Sequence, residues 1–205
     1  MSNQSLVQSV DDLLPQTQCR QCGFDGCRAY ATAIVNDQAP INRCAPGGAA
    51  GIARLASLLE RPILELDPEY GHEVPFAVAR IRAEDCIGCA WCTKVCPTAA
   101  IAGSPKHLHG VITDDCTGCS LCLAACPMDC IDMVENGRSW TTADAHRARE
   151  LYRANQTRRQ ARQDSEKARL DGLRQPQGKK SLLIADIMAK VRQGHPGSKK
   201  ENHDV

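Results

Sequence analysis

The sequence predicts an α+β chain: a small helical cysteine-bearing domain, then an internally duplicated domain of short strands, ligand loops and short helices, then a basic helical or disordered tail. Three observations predict it. The four cysteines of "CIGCAWCTKVCPTAAI" (86–101) recur 30 residues later at the same offsets in "CTGCSLCLAACPMDCI" (116–131). A differently spaced group, Cys19, Cys22, Cys27 and Cys44, precedes them among segments of helical periodicity. Charge divides too: residues 1–146 hold 10 Lys/Arg against 17 Asp/Glu, whereas residues 147–200 hold 15 against 5.

In residues 5–14, Leu6, Val10 and Leu13 or Leu14 recur at helical spacing, and Pro15 ends the helix. "GCRAYATAIVN" predicts a helix inside the first cysteine group. "APGGAAGIARLASLLE" predicts a turn into a helix with Ile52, Leu55, Leu58 and Leu59 on one face. "RPILELDPEYGHEVP", with three prolines, reads as a linker. The first domain therefore covers 1–61 and the linker 62–75. From residue 76, "FAVARI" and "GVIT" predict short strands ahead of the two cysteine runs, and "TAAIA" and "DCIDMV" predict short strands after them. Residues 76–140 thus hold two copies of strand, ligand loop, short helix and strand.

Residues 141–205 form the extension. Its first part has few apolar residues, Thr141 or Thr142 as an N-cap, and Asp164–Lys167 and Glu166–Arg169 at helical i,i+3 spacing. That pattern reads as a solvated helix or a disordered arm. Beyond the break "RQPQGKK", Leu182, Leu183, Ile187 and Val191 make a short apolar stripe, followed by a frayed end.

Composition narrows the chemistry. With 13 cysteines in 205 residues and only 3% aromatic residues, the chain lacks the large rings that dominate ordinary cores. Bulky inorganic groups would fill that space, and their binding would then contribute to folding. The start "MSNQSLVQSVDDLLP" has no signal-peptide pattern, so a cytoplasmic, reducing location is expected rather than a secreted disulfide framework. No run approaches the roughly 18 apolar residues of a transmembrane helix. The best run, "AAGIARLASLL", is broken by Arg54.

In C-x2-C-x2-C-x3-C-P, three thiolates lie along one tight loop and the fourth is carried off by the helix that follows. In two-cluster ferredoxins that fourth cysteine serves the other cluster. The duplication therefore assigns one 4Fe–4S cluster to Cys86, Cys89, Cys92 and Cys126, and a second to Cys116, Cys119, Cys122 and Cys96. This makes residues 76–140 a bacterial ferredoxin-like two-cluster domain. Gly88 and Gly118 let backbone amides approach the cluster sulfurs. Zinc also uses C-x2-C, but its structural sites pair two knuckles across a longer gap. The N-terminal C-x2-C-x4-C-x16-C is less decisive: its four thiolates could close a third 4Fe–4S site or hold zinc.

Taken together, "LPQTQCRQCGFDGCRAYATAI", "INRCAPGG" and the paired "CIGC" and "CTGC" runs resemble the B subunit of the Rnf/Rsx-type electron transport complex over residues 10–135. The resemblance implies a 4Fe–4S cluster on Cys19, Cys22, Cys27 and Cys44, hence three clusters in all. Members of the membrane complex carry an apolar anchor ahead of LPQTQC, where this sequence has polar-flanked residues 1–13. An anchor-less, soluble homologue is therefore expected, cytoplasmic or peripheral on the cytoplasmic face of the inner membrane.

The expected function is that of an electron carrier without substrate chemistry. Its partners would be a protein donor and acceptor, other electron transport complex subunits at the membrane among them. No catalytic acid, base or nucleophile is singled out, and neither G-x-G-x-x-G nor a P-loop motif is present. The alternative is a nucleic-acid-associated protein with structural or redox-sensing clusters and the basic tail as docking arm; Arg158, Arg159 and Arg162 could meet phosphates, but Tyr152 is the tail's one aromatic. Cys130, the cysteine without a duplicate, is expected to pack against a cluster. Trp91 is expected to shield one from water, and His107 and His109 to be surface or turn residues.

Overall fold

The computed structural model describes residues 2–174 and 178–193, with side chains outside the described set at 174, 178–182, 192 and 193. The chain divides into two compact units, residues 1–157 and 158–205.

The first unit opens with helix α1 (Asn3–Leu13), whose Ser2 hydroxyl accepts the Ser5 N–H at 3.2 Å as N-cap. It stops where Leu14, preceding Pro15, turns extended, because proline disfavours the helical region for the residue before it. Helices α2 (Cys27–Val35) and α3 (Gly48–Leu59) complete a small helical region. Val10, Leu14, Tyr30, Ile34, Ile41, Ile52 and Leu55 fill its interior. The Tyr30 hydroxyl donates to the Pro40 carbonyl at 2.8 Å and accepts the Arg43 N–H at 3.0 Å, so its burial leaves no polar atom stranded.

Residues 62–75 fold back over these helices. The Asn42 amide donates to the Glu65 carbonyl (2.7 Å), the Asp67 N–H donates to the Asn42 carbonyl (3.0 Å), and Arg43 stacks 4.5 Å from the Tyr70 ring centre. Glu73 accepts the Ala49 N–H at the start of α3, where unpaired N–H groups favour an anion.

In the ferredoxin-like region, β1 (Ala77–Ile81) pairs antiparallel with β4 (Ile131–Glu135), from Ala77 opposite Glu135 to Ile81 opposite Ile131. A second two-stranded sheet joins β2 (Ile101–Ala102) to β3 (Gly110–Val111). Between the strands lie the short helices α4 (Trp91–Val95) and α5 (Leu121–Ala125). Backbone conformation repeats at the 30-residue offset: φ is 69° and 68° at Gly88 and Gly118, 60° and 59° at Ala90 and Ser120, and 57° and 48° at Ala99 and Asp129. Four of the residues that fill this core, Cys92, Cys96, Cys122 and Cys130, are cysteines.

Helix α6 (Thr142–Arg174) begins with a capping box. The Thr141 hydroxyl accepts the Asp144 N–H at 3.2 Å, and the Asp144 carboxylate accepts the Thr141 N–H at 2.8 Å. The solvated arm expected here does not begin at residue 141. Ala145, Ala148 and Asn155 are buried, Arg149 pairs with Asp11 and Asp12, and Arg147 pairs with Asp115 at 2.5 Å. The buried positions are alanines and an asparagine, too small or too polar to register as an apolar stripe.

In the second unit, the remainder of α6 is almost entirely exposed; Glu166 pairs with Arg169 at 2.7 Å, and Asp164 accepts from Gln160 at 2.9 Å. Helix α7 (Gly178–Gln193) exposes Leu183, Ile187 and Val191 of the expected stripe, widened by Ile184 and Met188. The Leu182 side chain and the frayed end beyond Gln193 lie outside the described residues.

Candidate metal centres

The segment "LPQTQCR" positions the first cysteine group. Gln16, Gln18 and Arg20 take left-handed conformations (φ 58°, 57° and 64°), which cost non-glycine residues about 1 kcal/mol or more each. A buried relay offsets this. The Gln16 side-chain amide donates to the Asp11 backbone carbonyl (2.6 Å) and carboxylate (3.0 Å), the Gln18 side-chain amide donates to Gln16 Oε1 (3.0 Å), and Gln18 Oε1 accepts the Cys27 N–H at 3.0 Å. The zigzag delivers Cys19 toward Cys22, Cys27 at the head of α2, and Cys44 ahead of a 3₁₀ turn over Ala45–Gly47. All four thiols line one small cavity, walled by Leu14, Tyr30 and Pro46 among others. Burial, reinforced by neighbouring thiols, pushes Cys44 well above the ordinary range and Cys27 up to about 12.

A second small cavity is lined by Cys96, Cys116, Cys119 and Cys122 with Ala79, Ile101 and Met133. Cys96 comes from the first cysteine run and the other three from the second. The Ala100 N–H donates to the Cys96 sulfur at 3.2 Å and the Ala79 N–H to the Cys116 sulfur at 3.5 Å. Burial raises Cys119 to about 11 and, with the charges of Cys119 and Cys116, Cys122 to about 12.

The remaining set, Cys86, Cys89, Cys92 and Cys126, is less tightly enclosed. Cys92 is buried and feels the charges of Cys89 and Cys126. At Cys126 burial works upward, but the backbone N–H groups of Cys130 and Met128 and the Cys130 side chain outweigh it and hold the thiol below its ordinary value. Cys130 is buried, its sulfur 3.4 Å from that of Cys126. Among the described residues, no group of three or more His, Cys, Asp or Glu side chains is gathered tightly enough to hold one metal ion.

Four residues differ from expectation. His109 is not a surface residue: it is buried, with Nδ1 3.7 Å from the Cys86 sulfur, whereas His107 is exposed. Trp91 is 55% exposed with the Lys94 ammonium 4.8 Å from its ring centre, so it is not walled in as a shield. At Gly88 and Gly118 the space a Cβ would need is filled by the His107 backbone and the Ala77 carbonyl, so close chain approach and positive φ account for both glycines. The sequence marked neither Gln16 and Gln18, which read as polar loop, nor Asn155, whose amide donates to the buried carbonyls of Cys96 (3.1 Å) and Pro97 (2.8 Å).

Residues 79–133 match the "4Fe-4S dicluster domain" family and residues 14–46 the "Putative Fe-S cluster" family. Among curated proteins, the B subunit of the ion-translocating oxidoreductase complex of Hahella chejuensis is 56% identical over 129 residues, 63% of this chain and 65% of that protein. The protein of the same name from Azoarcus sp. is 52% identical over 107 residues, 52% of this chain and 58% of that one. That from Stutzerimonas stutzeri is 52% identical over 138 residues, 66% of this chain and 71% of that one. The chain thus spans less than two thirds of the first two. No solved structure matches it. Among the described residues, no helix is long and apolar enough to cross a membrane.

Proposed function

The chain belongs to the family of ion-translocating oxidoreductase complex B subunits, and from that premise we propose that it passes single electrons through three 4Fe–4S clusters between a protein donor and a protein acceptor. The observation that carries this reading is the pair of cavities, each ringed by four thiols drawn from distant segments. One ring, Cys96 with Cys116, Cys119 and Cys122, is a set that the spacing rule assigns, and the other, Cys19, Cys22, Cys27 and Cys44, is the set that the family resemblance implies. The third cluster falls to Cys86, Cys89, Cys92 and Cys126, and the ferredoxin-like domain to residues 76–140. The domain of the first cluster is residues 1–61.

The donor sets fit iron–sulfur groups. The lining is mostly thiol and hydrocarbon, with Thr17 and Arg20 at one cavity and Thr98, Thr117 and Ser120 at the other; burial disfavours lone thiolates there, so a cationic iron core is what would let these sulfurs carry charge. When bound, the clusters supply one-electron redox chemistry at potentials that span about −700 to +450 mV across proteins. The residues of this chain do the rest. Ala100 N–H and Ala79 N–H direct hydrogen bonds at Cys96 and Cys116. Leu14, Ile101 and Met133 limit water around the sulfurs.

Helix α7 supports peripheral attachment at an anionic membrane surface. Leu183, Ile184, Ile187, Met188 and Val191 stand exposed along it, and its sequence carries Lys179, Lys180, Lys190 and Arg192 against Asp186. Binding to anionic but not neutral vesicles, lost in Ile187→Asp, is the expected result; equal binding to both would remove the assignment.

The test of the electron-carrier reading is anaerobic reduction of the full chain followed by electron paramagnetic resonance. Reversible signals with the broadening of mutually interacting spins are expected. A protein that binds DNA or RNA tightly, with clusters that no reductant cycles, would replace the carrier with a nucleic-acid-associated protein.

A further inference from the structure

The two first cysteines of the duplicated runs meet different partners at equivalent places. Cys116 receives the backbone N–H of Ala79, at 3.5 Å. Thirty residues away from each of these partners, Cys86 faces the Nδ1 of His109, at 3.7 Å. Where one copy offers a peptide N–H to the other copy's sulfur, the reciprocal position offers an imidazole.

The surroundings hold the ring there. His109 is 7% exposed, immediately ahead of β3. Gly103 lies against it with φ 154°, and a Cβ at that position would overlap the imidazole. Nε2 is buried with no hydrogen-bond partner, so the polar contact of the ring is the one to Cys86. An iron-bound thiolate has no proton and can only accept. The contact is attractive only with hydrogen on Nδ1. Burying Nε2 without a partner costs free energy, and a charge-assisted bond from Nδ1 to sulfur is the compensation that position offers.

We propose that His109 is a positioning residue that donates a hydrogen bond from Nδ1 to the Cys86 sulfur and raises the reduction potential of the cluster on Cys86, Cys89, Cys92 and Cys126. This rests on the three-cluster reading above. A hydrogen bond to a ligand sulfur withdraws electron density and favours the more negative, reduced state. The equivalent bond at the twin comes from the Ala79 backbone, so this contact at Cys86 is the one that a side-chain substitution can remove.

The test is an anaerobic redox titration followed by electron paramagnetic resonance on the full chain, its His109→Leu variant and its His109→Asn variant, with iron counted in each. His109→Leu is expected to keep its iron while one cluster shifts toward oxidation by roughly tenfold in its one-electron equilibrium, about 59 mV lower. His109→Asn, whose amide N–H reaches a similar place, is expected to recover most of that shift. Three unmoved potentials in a fully loaded His109→Leu protein would overturn the proposal. If His109→Leu loses a cluster, His109→Asn decides: full iron with a wild-type potential supports the donor role, whereas a lowered potential or the same loss of iron overturns it. A wild-type chain without clusters would instead defeat the cluster reading itself.

Discussion

The hydroxyl of Thr117 donates a buried 2.9 Å hydrogen bond to the backbone carbonyl of Thr17, a residue 100 positions earlier. Thr17 stands two residues ahead of Cys19, and Thr117 directly follows Cys116. The bond therefore joins the rims of the two thiol-ringed cavities. Trp140 reinforces the junction by donating from its indole to the Pro15 carbonyl at 2.9 Å while its ring packs 4.9 Å from that of Phe76. Replacing Thr117 by Val keeps the shape but leaves the Thr17 carbonyl buried without its donor. A loss of about 1–3 kcal/mol is expected in urea unfolding; an unchanged midpoint would show that the junction does not depend on this bond.

Asn155 ties α6 to the backbone at Cys96 and Pro97. Its replacement by Ala abandons two buried carbonyls, at about 1 kcal/mol for each hydrogen bond. Faster release of iron to a chelator is expected, because Cys96 is one of the thiols around the second cavity. Release at the wild-type rate would mean that α6 does not brace that ligand.

At the start of α6, burial works against the Asp144 carboxylate, but Arg138 and Thr141 outweigh it and hold its pKa at about 2 against an ordinary 3.8. A carboxyl depressed by folding stabilises fully above its unfolded value and loses that contribution as pH falls through its folded value. Asp144→Asn is therefore expected to cost about 1 kcal/mol at neutral pH, a difference that shrinks between about pH 4 and pH 2. A difference constant across that window would assign the effect to packing instead.

Gly118 and Gly137 offer a matched pair, both at φ 68°. A methyl group at Gly118 would sit 2.5 Å from the Ala77 carbonyl oxygen, whereas one at Gly137 meets open space. Gly137→Ala is expected to cost the left-handed penalty alone, about 1–2 kcal/mol. Gly118→Ala is expected to cost more and to displace β1 near Cys116. Equal losses in thermal unfolding would contradict the close approach.

Much of this architecture was legible because it rests on periodicity and punctuation. Val10 and Leu14 at helical spacing ahead of Pro15 predict α1, and the runs "FAVARI" and "DCIDMV" predict the strands that pair as β1 and β4. What could not be read depends on residues that are polar in sequence and buried in space. Gln16 and Gln18 lie in a stretch that reads as loop, yet their amides hold the left-handed zigzag before Cys19. His109 carries no periodic signal; its burial follows from the missing Cβ of Gly103, a contact made only once the chain has folded. The buried face of α6 escaped for a related reason, since its alanines contribute fit rather than hydrophobic area.

The most direct measurement is the iron and acid-labile sulfide content of chain purified without oxygen, with Mössbauer spectra to identify the cluster type. About twelve irons and as many sulfides per chain are expected, falling by about four when Cys22 and Cys27 are both replaced by Ser. Colourless protein carrying zinc, or iron far below that level with the double variant unchanged, would contradict the three clusters on which the electron-transfer role depends.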